Sequence, residues 1–366
     1  MKKIAYVGVD YHLNSLSIAV MVEGEKRFSD LIRLKNEDKL ICKYMKKLSS
    51  HYEIKACYEA SCNGYSFQRK MASWGYHCAV IAPSLIPKKS GDRRKNDFRD
   101  AKNLARLYAN GLLTIVHLPT EYEESVRSLI RCRLACKESE KRAKQHINSF
   151  LLCQDCYWAH STWTKRHLDW LEELRMPNEY LQHVLNEYVG HLAYLRTRLR
   201  YLDDQIEELA RSELYAPSVT KLRAFKGIST LTAMVLISEI TDFRRFPNPG
   251  ALMAFLGLIS SENSSGDTHK GGPITKAGNH RCRSLLIESA QHYTKRPQLS
   301  LQMKHDLAQV DAHSAHIALK CLQRLNKRYW ALTMKGKIHP VAITAIAREF
   351  AGFIWAMMQP EPIPVS

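Results

Sequence analysis

The chain has 366 residues, with 54 Lys+Arg against 36 Asp+Glu and a formal net charge of +18 at pH 7. Its 45% hydrophobic content can bury proper cores, which excludes a disordered chain, and its length predicts two or three domains. The positive excess favours polyanionic partners through counterion release, and no uninterrupted apolar run approaches the roughly 18–20 residues of a membrane span.

From the N-terminus, the apolar runs Ile4–Val9, Leu16–Val22 and Phe28–Leu34 predict a strand meander. Turn signals at His12-Leu13-Asn14 and Glu23-Gly24-Glu25 separate them. Asp38–Leu48 predicts a helix, Ile54–Tyr58 a strand, Tyr65–Trp74 a helix, His77–Ala82 a strand and Asp97–Asn110 a closing helix. Three strands followed by alternating helices and strands describe an α/β domain of RNase H/RuvC type, with mixed strand directions. Asp10 and Glu59 fall where the first and fourth strands finish, and Asp97 and Asp100 stand three apart on the closing helix. Residues at that spacing share a helix face, with Cβ atoms about 5–6 Å apart. Two carboxylates at strand ends facing two on a helix can hold a pair of divalent metals that clamp an in-line phosphoryl transfer. Taken singly, each acid has a structural alternative, as a turn residue or, for Asp97, a helix cap.

Lys88, Lys89, Arg93, Arg94, Lys95, Arg99 and Lys102 crowd the approach to that helix. They read as phosphate contacts beside the chemistry or as a solvated loop. Ten cysteines are scattered without a disulfide framework, so a reducing cytoplasm is expected. Asp10 interrupts the apolar stretch after Met1-Lys2-Lys3 too early for a secretory leader. The single Cys153-Gln154-Asp155-Cys156 matches no defensible zinc pattern, and the 16 histidines form no HxxxH set.

The middle segment differs in kind. Glu121–Leu152 has no Gly or Pro and carries Val126, Leu129, Ile130 and Leu134 at helical spacing. Trp158–Pro177 reads as a break or a shorter helix. Asn178–Tyr215 carries spacings of three and four through Leu181, Val184, Leu185, Val189, Leu192, Leu195, Leu199, Leu202, Ile206 and Leu209, the seam of a coiled coil or helical hairpin. An intramolecular antiparallel pair and a dimerisation arm fit that seam equally. Arg131, Arg133, Lys137, Lys141, Arg142 and Lys144 make the first of these helices basic enough to lie along a nucleic acid.

Next, Phe225-Lys226-Gly227-Ile228-Ser229-Thr230 reads as a helix–turn–helix entry in which Gly227 permits the turn and the following helix N-terminus can take a phosphate. After an apolar helix at Pro249–Gly257, the stretch Ser260–Arg281 reads as a Ser/Gly-rich loop leading into a basic helix. It is either a flexible linker or a loop presenting a nucleophilic hydroxyl among Lys270, Lys276, Arg281 and Arg283, whose charges suit a phosphorane-like transition state. It does not match GxxxxGK[ST], so it is not a P-loop.

Together these segments resemble the DEDD-type transposases of bacterial insertion sequences, the family that includes pilin-gene invertases and bridge-RNA-guided recombinases. The resemblance rests on Gly8-Val9-Asp10, Tyr58-Glu59-Ala60 and Asn96-Asp97-Phe98-Arg99-Asp100-Ala101 in the first part. In the second it rests on Lys226-Gly227-Ile228, Leu256-Gly257-Leu258, Ser264-Ser265-Gly266, Ile274–Asn279, Arg283 and the closing run Val341–Arg348 with Trp355. Small departures, at Asn96, Phe98 and Ser260-Ser261, leave the acids and the SSG core untouched. The resemblance implies a RuvC-like domain at 1–117, a helical, coiled-coil linker at 118–215 and a mainly helical transposase domain at 216–366. It implies a tetrad of Asp10, Glu59, Asp97 and Asp100 holding Mg²⁺ or Mn²⁺, and Ser265, with Ser264 second, as a covalent nucleophile on DNA. It further implies double-stranded DNA partners, a noncoding bridge RNA, and a dimer or tetramer in the bacterial cytoplasm. Lys226, Gly227, Lys270, Lys276, Asn279, Arg281 and Arg283 are then nucleic-acid contacts. The rival expectation is a RuvC-like resolvase or nuclease in which Ser265 only binds phosphate.

Overall fold

The computed structural model describes residues 2–60, 64–87, 96–265 and 268–360, with only the backbone described for 84, 262–265 and 268–271. The chain divides into two compact units, Met1–Pro119 and Thr120–Ser366.

The first unit is a five-stranded mixed sheet. Its strands are β1 (Ile4–Tyr11), β2 (Ser15–Val22), β3 (Phe28–Lys35), β4 (Glu53–Glu59) and β5 (His77–Ile81), in the spatial order β3-β2-β1-β4-β5. β1–β2 and β2–β3 are antiparallel, while β4 runs parallel to both β1 and β5. These are the strands that the apolar runs predict. The period-2 alternation of a strand sorts the two faces. Val7, Val9, Ile18, Val20, Ala56 and Tyr58 bury against Ile41 and Met45 of α1 (Asp38–His51) and Phe67 and Met71 of α2 (Ser66–Ser73). The opposite face carries small residues and receives α3 (Asp97–Ala109), with Ala19 against Ala101 and Ala105, and Cys57, Ala79 and Ile81 against Leu104. Gly8 lies on that face. A Cβ there would collide with the Ala101 carbonyl and the Ala105 amide, so glycine lets α3 seat directly on the central strand.

The second unit is mainly helical. α4 (Glu121–Cys153) and α6 (Glu179–Ala210) are long helices, joined through α5 (Lys165–Glu173). Arg133 of α4 pairs with Asp203 of α6 at 2.7 Å, while Phe150 packs on Tyr188 with ring centroids 5.8 Å apart. Those contacts run in opposite senses, so the leucine seam closes within one chain as an antiparallel pair. Thr120 and Glu123 form a reciprocal capping box at the start of α4, and the Asn178 side chain caps α6, satisfying amides that a helix start leaves unpaired. The distal ends of the pair build a small core of Ala143, Ile147, Leu151, Leu171 and Leu185.

The proximal ends, through Val126, Ile130, Ile206 and Ala210, join the unit's main core. That core is filled by α7 (Ala216–Arg223), α8 (Thr230–Ile240), α9 (Pro249–Phe255), α10 (His280–Ala290), α11 (Leu301–Leu307), α12 (Ala312–Met334) and α13 (His339–Met357). α13 is long and apolar enough by composition to cross a membrane, but Ile343, Ile346, Phe350 and Ile354 are buried in this core.

One local expectation is corrected. The stretch after α9 is not an irregular loop: β6 (Ser260–Ser265) and β7 (Thr268–Ile274) pair as an antiparallel hairpin. Ser, Asn, Glu and Gly are poor strand formers, so composition argued for a loop. Ser265 pairs with Thr268, and in the sequence a Gly-Asp dipeptide is a hairpin signal.

Candidate active site

In the first unit, the parallel register pairs Val9 of β1 with Tyr58 of β4. One step further along both strands stand Asp10 and Glu59. They share the parity of Gly8 and Cys57, and therefore the face on which α3 lies. Neighbouring strands are about 4.8 Å apart, so two carboxylates emerge side by side at strand C-terminal ends. The first turn of α3 supplies Asp97 and Asp100. Asn96 is the N-cap, its side chain accepting from the Phe98 amide at 3.0 Å, which leaves the Asp97 carboxylate for other work. The alternative of Asp97 as the cap is thereby removed.

Asp10 and Asp97 converge, and a third side chain that sequence reasoning passed over joins them. Ligand atoms of Asp10, His12 and Asp97 all lie within 4.8 Å of one another. His12 Nε2 is 3.1 Å from Asp10 Oδ2. Arg33 of β3 reaches Asp97 Oδ2 at 3.4 Å. The carboxyl of Asp10 is held above its ordinary range, chiefly by burial and also by the negative charges of Asp97 and Asp100, against a lowering pull from His12. A partly desolvated carboxylate crowded by other acids belongs to the kind of donor set a divalent cation relieves, so the residues fit such an ion. Glu59 is exposed at its strand end. The signal for His12 was present: residues two apart at a strand end share a face.

Lys88, Lys89, Arg93, Arg94 and Lys95 lie outside the described residues, as do the side chains of Ser264, Ser265 and Lys270. The base of the hairpin is well defined. The Thr275 amide donates to Ile259 O and the Lys276 amide to Gly257 O, while the Asn279 amide donates to Phe255 O. Gly257 (φ 66°) and Gly278 (φ 148°) occupy conformations that favour glycine, and a Cβ on Gly278 would strike the Phe255 carbonyl. Arg283 donates to Leu256 O at 2.9 Å, and Arg348 of α13 donates to Ser260 Oγ at 3.2 Å.

Asn279 uses both ends of its amide. Its oxygen accepts from the Arg281 and Cys282 amides at 3.1 Å, and its nitrogen donates to Glu239 Oε2 at 2.7 Å. Glu239, buried in apolar α8, is held by a two-pronged pair with Arg131 at 2.7 and 2.8 Å. Burial pushes the Glu239 carboxyl up, but Arg131 and Asn279 outweigh it and hold it below the usual range. Beside this scaffold Lys276 is exposed and Arg281 half-buried. Lys226 donates to Arg296 O at 3.0 Å, and Gly227 (φ 86°) packs against the Ser289 carbonyl.

Comparison with known proteins bears on both units. A profile described as the transposase IS116/IS110/IS902 family matches residues 219–304, and a second transposase profile, of the DEDD IS110 type, matches residues 7–153. The Sinorhizobium fredii protein y4qE, named as a transposase, is 37% identical over 358 residues, covering 96% of this chain and 88% of that one. The transposase for insertion sequence element IS1533 of Leptospira borgpetersenii is 36% identical over 252 residues, 68% of this chain and 73% of its own length. That for IS1328 of Yersinia enterocolitica is 24% identical over 285 residues, 76% and 83% of the two chains.

Proposed function

Since this chain belongs to the IS110-type transposase family, and is thus an enzyme, we propose that it mobilises a bacterial insertion sequence by cutting and rejoining DNA with two chemical centres. The observation that carries the reading is the convergence of Asp10 and Asp97, with Glu59 in register on the neighbouring strand and Asp100 one turn along α3. In an RNase H/RuvC-like domain, these four hold Mg²⁺ or Mn²⁺. A bound divalent cation would neutralise a scissile phosphodiester and sharpen its phosphorus as an electrophile.

The chain's own residues do the rest. Asp10, Glu59, Asp97 and Asp100 set the position of the charge, and Arg33 is close enough to contact a phosphate drawn to it. Ser265, with Ser264 as the second candidate, attacks phosphorus. A serine O–P bond forms and the P–O bond to one strand breaks, the Oγ proton finishing on the departing hydroxyl. The phosphoserine link conserves the bond energy for rejoining. Lys226, Lys270, Lys276 and Arg281, with Lys88, Lys89, Arg93, Arg94 and Lys95, bind the backbone. Gly227, Asn279 and Arg283 shape the loops that present them.

The work divides among a carboxylate domain (1–117), a helical coiled-coil linker (118–215) and a serine-bearing domain (216–366). Element ends and target are double-stranded DNA in the cytoplasm. A noncoding bridge RNA selects the sites by base pairing while the protein reads backbone and shape, within a dimer or tetramer.

Trapping tests this. Purified protein is incubated with DNA spanning the element junction, its candidate RNA and Mg²⁺, then run on a denaturing gel. A covalent protein–DNA band that vanishes in Ser265→Ala and in Asp10→Asn supports the mechanism. Cleavage without an adduct that persists in Ser265→Ala overturns it in favour of a hydrolytic nuclease.

A further inference from the structure

We propose that His12 is a nitrogen ligand of the carboxylate site and that it tilts the site's preference from Mg²⁺ towards a first-row transition ion such as Mn²⁺. The inference rests on the reading of Asp10, Glu59, Asp97 and Asp100 as a metal site, and goes beyond it in naming a fifth ligand and a consequence for metal choice.

Three observations carry it. The first is distance. Two ligand atoms adjacent on an octahedral ion with bonds of about 2.1 Å lie roughly 3 Å apart, and His12 Nε2 stands 3.1 Å from Asp10 Oδ2. Asp97 brings a third ligand atom within 4.8 Å of both.

The second is preorganisation. His12 does not ride on a loose turn. Its amide donates to Ser15 O at 3.0 Å, and its carbonyl accepts from Asn36 Nδ2 at 3.2 Å. The same Asn36 nitrogen bonds Leu13 O at 3.0 Å and Tyr11 OH at 3.2 Å. The Asn36 amide in turn donates to Asn14 O at 3.1 Å. The β1–β2 connection is tied at several points to Asn36, the residue following β3, so the imidazole springs from a fixed backbone.

The third is donor chemistry. Mg²⁺ is a hard cation that takes oxygen ligands. A ring nitrogen contributes little to it but favours ions further along the first transition row. A site of carboxylates alone would not discriminate in this way; one with His12 would.

The test reads the metal, not the reaction. The full-length protein is loaded with Mn²⁺, with and without non-specific duplex DNA, and examined by pulsed electron paramagnetic resonance beside calorimetric Mn²⁺ and Mg²⁺ titrations. His12→Asn can still hydrogen-bond Asp10 but offers no ring nitrogen. The side chain is 47% exposed, so this variant is expected to fold, which circular dichroism checks.

The proposal expects ¹⁴N coupling to Mn²⁺ in the wild type that is absent in His12→Asn. It also expects Mn²⁺ affinity to fall about tenfold or more, with Mg²⁺ affinity changed less than about threefold. Mn²⁺ bound with no nitrogen coupling, and with unchanged affinity in His12→Asn, overturns it and leaves His12 as a hydrogen-bond partner of Asp10. Wild-type protein that binds neither ion under either condition, or binds both equally in Asp10→Asn, overturns the metal-site reading itself, and the His12 proposal with it.

Discussion

The two units position their chemistry by different means. In the first, four acids are placed by main-chain geometry: parallel register sets Asp10 beside Glu59, and a glycine lets the helix bearing Asp97 and Asp100 sit on the sheet. In the second, a hairpin of poor strand formers is held at its base by side chains reaching from distant helices, namely Arg283, Arg348 and the Arg131–Glu239–Asn279 relay. Register is strongly specified where one face of a sheet is buried. A side-chain clamp is adjustable, and it fails one residue at a time.

The largest expected effect breaks the first arrangement at its chemistry. Asp10→Asn should lower DNA strand cleavage about a thousandfold, equivalent to about 4 kcal/mol of transition-state stabilisation, with the fold intact by circular dichroism. Gly8→Ala attacks the same arrangement through its backbone. An added methyl that displaces α3 should cost about 3 kcal/mol, read as a lower melting temperature, and should also weaken Mn²⁺ binding. A Gly8→Ala protein with unchanged metal affinity would show that the close seat of α3 does not aim the acids.

Glu239→Ala tests the second arrangement. Removing one partner of a buried pair costs about 3–5 kcal/mol. Arg131 is 44% exposed against 1% for Glu239, so water recovers part of that loss and about 2–3 kcal/mol is expected in urea unfolding.

Acid should sharpen the contrast. Burial raises the Glu140 carboxyl, but Lys137 and Lys144 bring it down to about 2 from 4.5, and Glu239 is also lowered. Groups depressed in the folded state add stability above their unfolded pKa and lose it as pH falls through the folded one. The second unit should therefore weaken as pH drops below about 4.5. Asp10 is raised in the fold, so its contribution has the opposite sign and its strain eases on protonation. Every tryptophan but Trp74 lies in the second unit, so fluorescence melts at pH 7 and pH 4 follow that unit almost alone. At the bottom of the scale, Lys70→Ala breaks an exposed 2.7 Å pair with Asp38 and should shift stability by no more than about 0.5 kcal/mol.

Much of the first unit was legible because its signals are local. Alternating apolar runs and turn residues marked β1 to β5, and the i, i+3 spacing marked Asp97 and Asp100. His12 was missed because histidine was sought in HxxxH patterns on helices, although two residues beyond an acid at a strand end is also a ligand spacing. In the second unit the long helices were legible from their seam, but the clamp was not. Ser260 and Arg348 are 88 positions apart, and no pattern in either segment points to the other. Glu239 carried a weak local sign, the lone acid in the run Thr230–Ile240. Its partner Arg131 stands 108 residues earlier, in a run of cations read as a nucleic-acid face.

The long antiparallel pair carries a consequence of a different order. α6 has 32 residues and at about 1.5 Å per residue extends roughly 48 Å, the length of about 14 stacked base pairs. Its buried leucines recur on a fixed angular pitch, so inserting one residue would turn everything beyond it by about 100° and strand the seam in water. Adding seven residues to both helices at once keeps the phase. The arm therefore behaves as a geared ruler: over evolutionary time its reach can change only in matched notches, and intermediate lengths carry a penalty in exposed leucine.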